Sequence, residues 1–173
     1  LYDPDPAAAL EGKIYCKWGA FLDDYDKFDP RFFNIPTEEA KIIDPQERLF
    51  LQSVWAAIED AGYTRESLRR RFGKARSADV GVFVGVTTNS YHLLTSNENS
   101  RGNVVHASAL PWSIANRVSY FFDFNGPSMP IDTACSSSLV AIHLACESLK
   151  RRECQVAIAG GVNLYLHPSK YQS

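Results

Sequence analysis

The sequence predicts an α/β fold, in which helices cover the faces of a central and mostly parallel sheet. Short β-prone segments alternate along the chain with longer segments of helical periodicity. The β-prone segment VGVFVGV, residues 80–86, is apolar at nearly every position, which is typical of a strand buried on both faces. A chain of 173 residues, of which 45% are hydrophobic, is long enough to build such a core.

The first part of the chain combines an irregular segment with two helices. Residues 1–43 are rich in Pro, Asp and aromatic residues and predict an ordered but irregular, aromatic-rich segment. The clearest helix begins after Asp44, has Glu47 in position to close a capping box, and ends at Gly62. A shorter helix is predicted to start at Thr64.

The rest of the predicted α/β core, which spans residues 44–173 in total, alternates helices and strands. Residues 87–107 are polar and predict a long loop that shapes a pocket. The patterns then predict a helix at 113–124, a strand at 128–134, a helix at 136–149 that is buried on most sides, and strand structure at 155–166 broken at a pair of glycines.

Composition and charge exclude several classes of protein. The net charge is −2, so no bulk field attracts nucleic acid or an anionic membrane. No apolar stretch approaches the roughly 20 residues that a membrane span needs. The four cysteines have neither the spacing of a zinc site nor the density of a disulfide scaffold. We therefore expect a cytoplasmic protein with reduced thiols and no metal site.

One cysteine stands where a strand meets a helix, in the segment PIDTACSSSLVAIHLACESL. Unpaired backbone N–H groups and the positive end of the helix dipole favour a thiolate at Cys135. A thiolate here is a candidate nucleophile, and the same N–H groups can bind the oxyanion that forms when it attacks an acyl carbonyl. The alternative is a buried structural cysteine. Cys16 is interpreted as structural, and Cys146 and Cys154 as core or surface thiols.

The segment DTACSSSL resembles the active-site signature of β-ketoacyl synthases, in particular the ketosynthase domains of modular polyketide synthases. Further segments occur in the order that this family shows: FDPRFFNI, DPQERLFL, IEDAGY, GVFVG, SIANRVSYFFDFNGPS, LACESL and AGGVNL. The sequence from YCKWGAFLDD onward and the segment GGVNLYLHPSKY are most similar to the bacterial type whose acyltransferases act in trans. The resemblance covers essentially the whole chain.

This resemblance implies a thiolase-like fold, which when complete is a five-layer α/β/α/β/α sandwich of two similar halves. It implies that Cys135 accepts an acyl chain as a thioester from the phosphopantetheine arm of an acyl carrier protein. A malonyl unit on a second carrier protein would then lose CO₂, and the resulting carbanion would attack the thioester. The resemblance implies no tightly bound cofactor, and a homodimer that forms through the strand around Pro127 to Thr133.

The family condenses with histidines from an HGTGT-like motif and a later GH motif, and this chain contains neither motif. Its histidines are His92, His106, His143 and His167, of which His143 is interpreted as a packed structural residue. The resemblance therefore predicts an internal piece of a ketosynthase domain that lacks the first strand and the C-terminal half. The alternative function is a non-elongating, gatekeeping domain that loads an acyl chain on Cys135 without condensing it. A thiol hydrolase lacks support, because no His and Asn arrangement of that kind is present.

Several residues near the nucleophile are predicted to line the acyl tunnel. Trp112 stands beside the family's substrate region, although it can equally be a core residue. The full set of tunnel candidates is Trp112, Leu110, Asn89, Ala134 and Thr133. The basic segment RESLRRRFGKAR fits docking of an acidic carrier protein, but such segments are more often solvated helix faces.

Overall fold

The structure is a computed structural model and describes residues 2–74, 77–87 and 90–167. It contains a 3-10 helix at Pro6–Glu11 and the α-helices α1 Thr37–Ile42, α2 Pro45–Asp60, α3 Arg65–Phe72, α4 Tyr91–Ser100, α5 Pro111–Phe122 and α6 Ser137–Lys150. The strands are β1 Gly73–Lys74, β2 Ser77–Ala78, β3 Val80–Gly85, β4 Ser128–Ile131 and β5 Val156–Gly161. From β3 onward helices separate the strands of the main sheet, as the α/β pattern predicted.

The main sheet has the strand order β4-β3-β5, and both pairs are parallel. In register, Val82 of β3 lies beside Ser128 of β4 and Ile158 of β5. Strands β1 and β2 form a separate antiparallel pair. The prediction of a mostly parallel sheet is confirmed, and β5 is a single strand that ends at the glycine pair. Parallel pairing brings the carboxyl ends of all three strands to one edge, which is where the site lies.

Strand β3 is buried on both faces, as its apolar run predicted. Val80, Val82 and Val84 belong to the larger core, together with side chains of α2 and α5. Phe83 points to the opposite face and packs with Ala141 of α6. The alternation of side chains along a strand therefore divides the described chain into a helical layer, a sheet and a second helical layer.

Aromatic side chains join part of the N-terminal segment to the core. Phe28 stacks on Phe33 with 5.0 Å between ring centroids, and Phe33 lies 5.1 Å from Phe121 of α5. Trp55 of α2 lies 5.8 Å from Phe122. Aromatic pairs of this kind add about 0.5–1.5 kcal/mol beyond their buried area. The aromatic residues further upstream are exposed: Tyr2, Tyr15, Trp18, Phe21 and Tyr25.

The first turn of α2 buries three polar side chains. Asp44 caps the helix, because its Oδ1 accepts a hydrogen bond from the Gln46 N–H at 2.8 Å. Glu47 does not close the predicted capping box, and instead accepts a hydrogen bond from Nε of Arg117 at 2.7 Å. Burial acts to lower the pKa of the Arg117 guanidinium, but the hydrogen bonds and charges of Glu47 and Glu39 together outweigh it and raise that pKa. The capping-box prediction was wrong, because Glu47 binds Arg117 on α5 and the Asp44 N–H that a capping box needs donates to the Ser108 carbonyl.

The predicted loop at 87–107 contains a helix, α4. None of the residues of α4 is buried, so it has no apolar face that periodicity could have revealed. Local polar contacts support its end, where Glu98 accepts hydrogen bonds from Arg101 at 2.7 Å and from Asn103 at 2.9 Å. The loop prediction was therefore wrong for ten residues.

Helix α6 is less buried than its apolar sequence predicted. Ala141 and Ala145 are buried against the sheet, whereas Leu139 is 70% exposed and Ile142 is 50% exposed. Leu149, on the same helix, is 39% exposed. The difference arises because the described residues provide a packing layer on only one side of α6.

We expect Arg117→Met to lower the free energy of unfolding by about 3–5 kcal/mol, because it leaves the buried Glu47 carboxylate without a charged partner. Glu39→Gln is the matched control, since Glu39 binds the same guanidinium at 2.8 Å but is 38% exposed. That control should lose less than about 1 kcal/mol. Chemical denaturation measures the loss of unfolding free energy for both variants. The protein used is the smallest polypeptide that contains this chain and unfolds cooperatively. Equal losses would contradict the argument.

Candidate functional site

Cys135 lies in the turn between β4 and α6, and its side chain is exposed. The alternative of a buried structural cysteine is therefore wrong. Ala134, directly before it, has φ 54°, in the left-handed region that L-residues rarely adopt. This conformation turns the chain from the strand into the helix within a few residues. We refer to residues 132–137 as the elbow.

Polar side chains hold the elbow in this conformation. Asp132 Oδ1 accepts a hydrogen bond from the Ala134 N–H at 3.0 Å. Ser137 Oγ accepts from the Thr133 N–H at 2.9 Å and donates to the Ala134 carbonyl at 2.6 Å. Ser136 Oγ donates to the Thr133 carbonyl at 2.7 Å. These bonds satisfy backbone groups that neither a strand nor a helix can pair at the turn, so they define one conformation.

The elbow places Cys135 at the start of α6. Ser136 is the N-cap residue and makes no side-chain capping hydrogen bond, and the helix begins at Ser137. Backbone N–H groups in a first helical turn lack intrahelical acceptors, and they carry the positive end of the helix dipole. Such N–H groups can bind an oxyanion that forms next to the sulfur. The arrangement is suited to a thiolate that attacks a carbonyl carbon.

A cavity of about 330 Å³ opens beside Cys135. The carboxyl ends of β3 and β5, the elbow and the first turn of α6 surround it. Its lining residues are Gly85, Thr87, Ala134, Cys135, Ser137, Ser138, Gly161, Val162 and Asn163. Small residues dominate this list, so the cavity leaves room for an extended group bound to the sulfur.

The helix reaches this position because two strands end in glycine. A Cβ added to Gly85 would lie 2.7 Å from the backbone nitrogen of Ser138 and 2.8 Å from the carbonyl carbon of Ser137. A Cβ added to Gly161 would lie 3.2 Å from the Ser138 Cβ. The first turn of α6 therefore packs directly on the ends of β3 and β5, with no space for a side chain.

Helix α2 supports the wall of the cavity from behind. Gln46 is completely buried, and its Oε1 accepts a hydrogen bond from the Leu164 N–H at 2.9 Å. Leu164 directly follows Asn163, which lines the cavity. The Asp44 N–H donates to the Ser108 carbonyl at 2.9 Å, which fastens the segment before α5 to the same turn. The start of α2 thus holds two segments, of which the one at Leu164 lies next to the cavity.

The predicted tunnel residues are only partly brought together. Ala134 lines the cavity with Cys135, and Thr133 lies beside it in the elbow. Leu110 is the N-cap of α5 and Trp112 lies in its first turn; both are exposed, and neither lines this cavity. Asn89 lies outside the described residues. A role for these residues in an acyl tunnel stays a prediction.

The histidines and the other cysteines lie elsewhere. Among the described residues His143 is exposed and lines a separate depression of about 470 Å³, and its interpretation as a packed residue stays a prediction. Within the part of the chain that the structure describes, no histidine lines the Cys135 cavity. Cys16, interpreted as structural, is exposed, as is Cys146, and Cys154 is buried.

Sequence reasoning missed Thr87 and the two glycines. Thr87 Oγ1 donates a hydrogen bond to the Ala134 carbonyl at 3.1 Å, across 47 residues of sequence. A signal for these residues was present, because Gly85 and Gly161 end strands that are parallel. The carboxyl ends of parallel strands meet at one edge, so residues that follow them are candidates for the same site.

Other kinds of site were sought across the described residues. A larger surface depression, of about 710 Å³, lies beside α5, and none of its lining residues is a cysteine or a histidine. In residues 2–74, 77–87 and 90–167, no group of three His, Cys, Asp or Glu side chains is arranged to hold a metal ion. No helix in these ranges combines the length and apolar character needed to cross a bilayer.

The sequence matches the family model described as Beta-ketoacyl synthase, N-terminal domain, over residues 1–173. It is 58% identical over 160 residues to polyketide synthase PksL of Bacillus subtilis strain 168, an alignment that covers 92% of this chain and 4% of PksL. It is 53% identical over 167 residues to polyketide synthase ThaG of Burkholderia thailandensis, covering 96% of this chain and 3% of ThaG. The chain therefore spans only a small part of these curated relatives.

Solved structures give the same result. The oxazolomycin ketosynthase domain OzmH KS7 of Streptomyces albus JA3453 superimposes with a TM-score of 0.88 at 51% identity, over 99% of this chain and 28% of that one. The ketosynthase from module 6 of the bacillaene synthase of Bacillus subtilis 168 gives a TM-score of 0.77 at 42% identity, over 90% of this chain and 25% of that one. These similarities confirm the predicted thiolase-like fold for the part of a ketosynthase domain that this chain represents.

We expect Gly85→Ala to displace the first turn of α6, because the added Cβ meets backbone atoms that cannot move independently. The variant should lose about 1–3 kcal/mol of unfolding free energy and alkylate more slowly at Cys135 with iodoacetamide. Gly19→Ala is the control, since its Cβ would meet only side-chain atoms of Phe21, which is 78% exposed and can move. Denaturation and mass mapping after brief labelling measure both effects. Wild-type behaviour of Gly85→Ala would refute the close-packing argument.

Proposed function

This chain belongs to the β-ketoacyl synthase family as its N-terminal domain, and on that basis we propose that Cys135 is the acyl-accepting nucleophile of a polyketide synthase ketosynthase. The observation that carries the proposal is the exposed thiol on a strained elbow, at the start of α6 and over an open cavity. The acyl donor is the phosphopantetheine thioester of an acyl carrier protein. No tightly bound cofactor is needed for this transfer.

Loading proceeds by thioester exchange. The Cys135 thiolate attacks the carbonyl carbon of the acyl thioester, and the carbonyl oxygen becomes an oxyanion. Backbone N–H groups at the start of α6 stabilise that charge. The intermediate then collapses, the carbonyl re-forms, and the phosphopantetheine thiolate leaves and takes up a proton. The acyl chain stays on Cys135.

Elongation follows when a malonyl unit on a carrier protein loses CO₂. The carbanion attacks the Cys135 thioester, a carbon–carbon bond forms, and the Cys135 thiolate leaves. We assign the histidines that assist decarboxylation to a part of the domain outside this chain, because no described histidine lines the Cys135 cavity. The ketosynthases that match in structure are several times longer than this chain, since it covers 28% of one and 25% of another.

The same part of the domain is the proposed partner for α6. The exposed apolar side chains of α6, Leu139, Ile142 and Leu149, form a face that the described residues do not cover. In a fold of two similar halves, the central helices contact both halves. Burial of such side chains stabilises a protein by about 1.5–3 kcal/mol each.

We also propose a homodimer that forms through the edge of the sheet. Strand β4 is an edge strand among the described residues, because it pairs with β3 on one side only. Met129 on β4 is 36% exposed. An edge strand of this kind is normally covered or paired, and pairing with the strand of a second copy merges two sheets across a two-fold axis.

We also propose that the protein belongs to the type whose acyltransferases act in trans and that it is cytoplasmic. The segments noted above place the chain with bacterial synthases whose acyltransferases act in trans. The four free cysteines are compatible with the reducing cytoplasm.

The loading proposal predicts that an acyl carrier protein charged with a thioester transfers its acyl chain to Cys135. Cys135→Ala in the complete domain should abolish transfer. Cys16→Ala is the control, because it removes another exposed thiol, which lies outside α6, and should leave transfer unchanged. Intact-protein mass spectrometry with peptide mapping reports the acylated residue. Acylation that survives Cys135→Ala would refute the proposed nucleophile.

A second measurement on the same protein separates elongation from loading. An elongating domain supplied with malonyl-carrier protein should release CO₂ and form the extended β-ketoacyl product. Loading without either product would identify the non-elongating, gatekeeping alternative.

For the dimer, Met129→Asp in the complete domain should shift the sedimentation coefficient from dimer toward monomer, because it places a charge at the paired edge. Leu10→Asp is the control, as Leu10 is 93% exposed and lies on the N-terminal 3-10 helix. An unchanged dimer for Met129→Asp would place the interface elsewhere.

A further inference from the structure

The carbonyl of Ala134 is bound by more donors than a turn requires. It accepts from the Ser137 N–H at 3.1 Å, from Ser137 Oγ at 2.6 Å and from Thr87 Oγ1 at 3.1 Å. The bonds from Ser137 are local to the elbow. The bond from Thr87 comes from the end of β3, so it ties the elbow to the rigid sheet. Thr87 Oγ1 also lies 3.2 Å from Ser137 Oγ, so the two hydroxyls that donate to this carbonyl are adjacent.

This carbonyl belongs to the peptide group that joins Ala134 to Cys135. A trans peptide is planar, and its oxygen and its N–H point in opposite directions. The oxygen is directed toward Ser137, which is buried, with 4% of its surface exposed. The N–H of Cys135 is therefore directed away from the hydroxyls of Ser137 and Thr87 that bind the carbonyl.

The orientation of this peptide needs support. The left-handed conformation of Ala134 is strained, and strained residues persist when surrounding contacts fix them. Rotation of the peptide would relieve the strain and turn the Cys135 N–H away from the reacting carbonyl. The bonds from Ser137 oppose that rotation from within the elbow, and the Thr87 hydroxyl opposes it from the segment that follows β3, so it also fixes the carbonyl relative to the sheet.

We propose that Thr87 is a positioning residue for acyl transfer, and that its hydroxyl holds the Ala134–Cys135 peptide so that the Cys135 N–H faces the oxyanion of the tetrahedral intermediate. The proposal rests on the proposed function, in which Cys135 attacks a thioester carbonyl. Thr87 keeps its proton throughout and exchanges no group with the substrate. It acts only through the peptide that it binds.

The test compares two reactions of the same sulfur in the complete domain. Acylation by a small acyl thioester, such as an acyl N-acetylcysteamine, passes through an oxyanion. Alkylation by iodoacetamide does not. Loss of an oriented N–H donor slows only the first, whereas a disordered elbow slows both.

Thr87→Val keeps the shape of the side chain and removes the hydroxyl. We expect its maximal acylation rate constant to fall by about tenfold or more, toward the roughly 10²–10³-fold range seen when an oxyanion donor is removed. The thioester concentration at half-maximal rate and the alkylation rate should stay within about twofold of wild type. Thr87→Ser retains the hydroxyl and should recover most of the acylation rate.

The outcomes decide between the roles. An acylation rate for Thr87→Val within twofold of wild type overturns the proposal, as does an equal loss in both reactions or a Thr87→Ser variant as slow as Thr87→Val. If the wild-type domain is not acylated at Cys135, the proposed function fails and this inference fails with it. Loading at Cys135 that is insensitive to Thr87 overturns the inference alone.

Discussion

The site depends on the direct contact between the first turn of α6 and the ends of β3 and β5. Backbone meets backbone there, because a Cβ at Gly85 would lie 2.7 Å from the Ser138 nitrogen. This contact brings the N–H groups of a helix start to the carboxyl edge of a parallel sheet, where the cavity opens. A side chain at the strand end would separate the helix from the sheet and move the thiol with it.

The elbow converts that contact into a defined position for the thiol. The strain of Ala134 is offset by several hydrogen bonds, each of which contributes on the order of 1 kcal/mol net. Most of them come from serine and threonine hydroxyls, which are short enough to reach the backbone of the same turn. The first turn of α2 adds a second support, since buried Gln46 holds the backbone at Leu164, next to the cavity wall. The site is therefore stabilised by hydrogen bonds within the elbow and by the hydrogen bond from α2 to Leu164.

The elements that the sequence predicted well are those with strong local signals. The apolar run of β3, the Asp44 cap of α2 and the Thr64 cap of α3 all occur in the structure. The predictions that were wrong concern Glu47, which binds a residue distant in sequence, and helix α4, which has no buried face. Glu47 was assigned to a capping box because its spacing allowed one, but Arg117 is 70 residues away and could not be weighed. Helix α4 has no buried face, so no periodicity marked it.

The sequence by itself determined the α/β class and the family, and it identified Cys135 as the candidate nucleophile, because each depends on residues that are adjacent or regularly spaced along the chain. A cysteine between a strand and a helix is recognisable as a candidate nucleophile from that junction. Only the tertiary structure decided which distant residues serve it. Thr87 reaches the Ala134 carbonyl because β3 and β4 are parallel neighbours, and Gly161 meets α6 because β5 lies on the other side of β3. Such contacts depend on strand order and register, which local patterns do not encode.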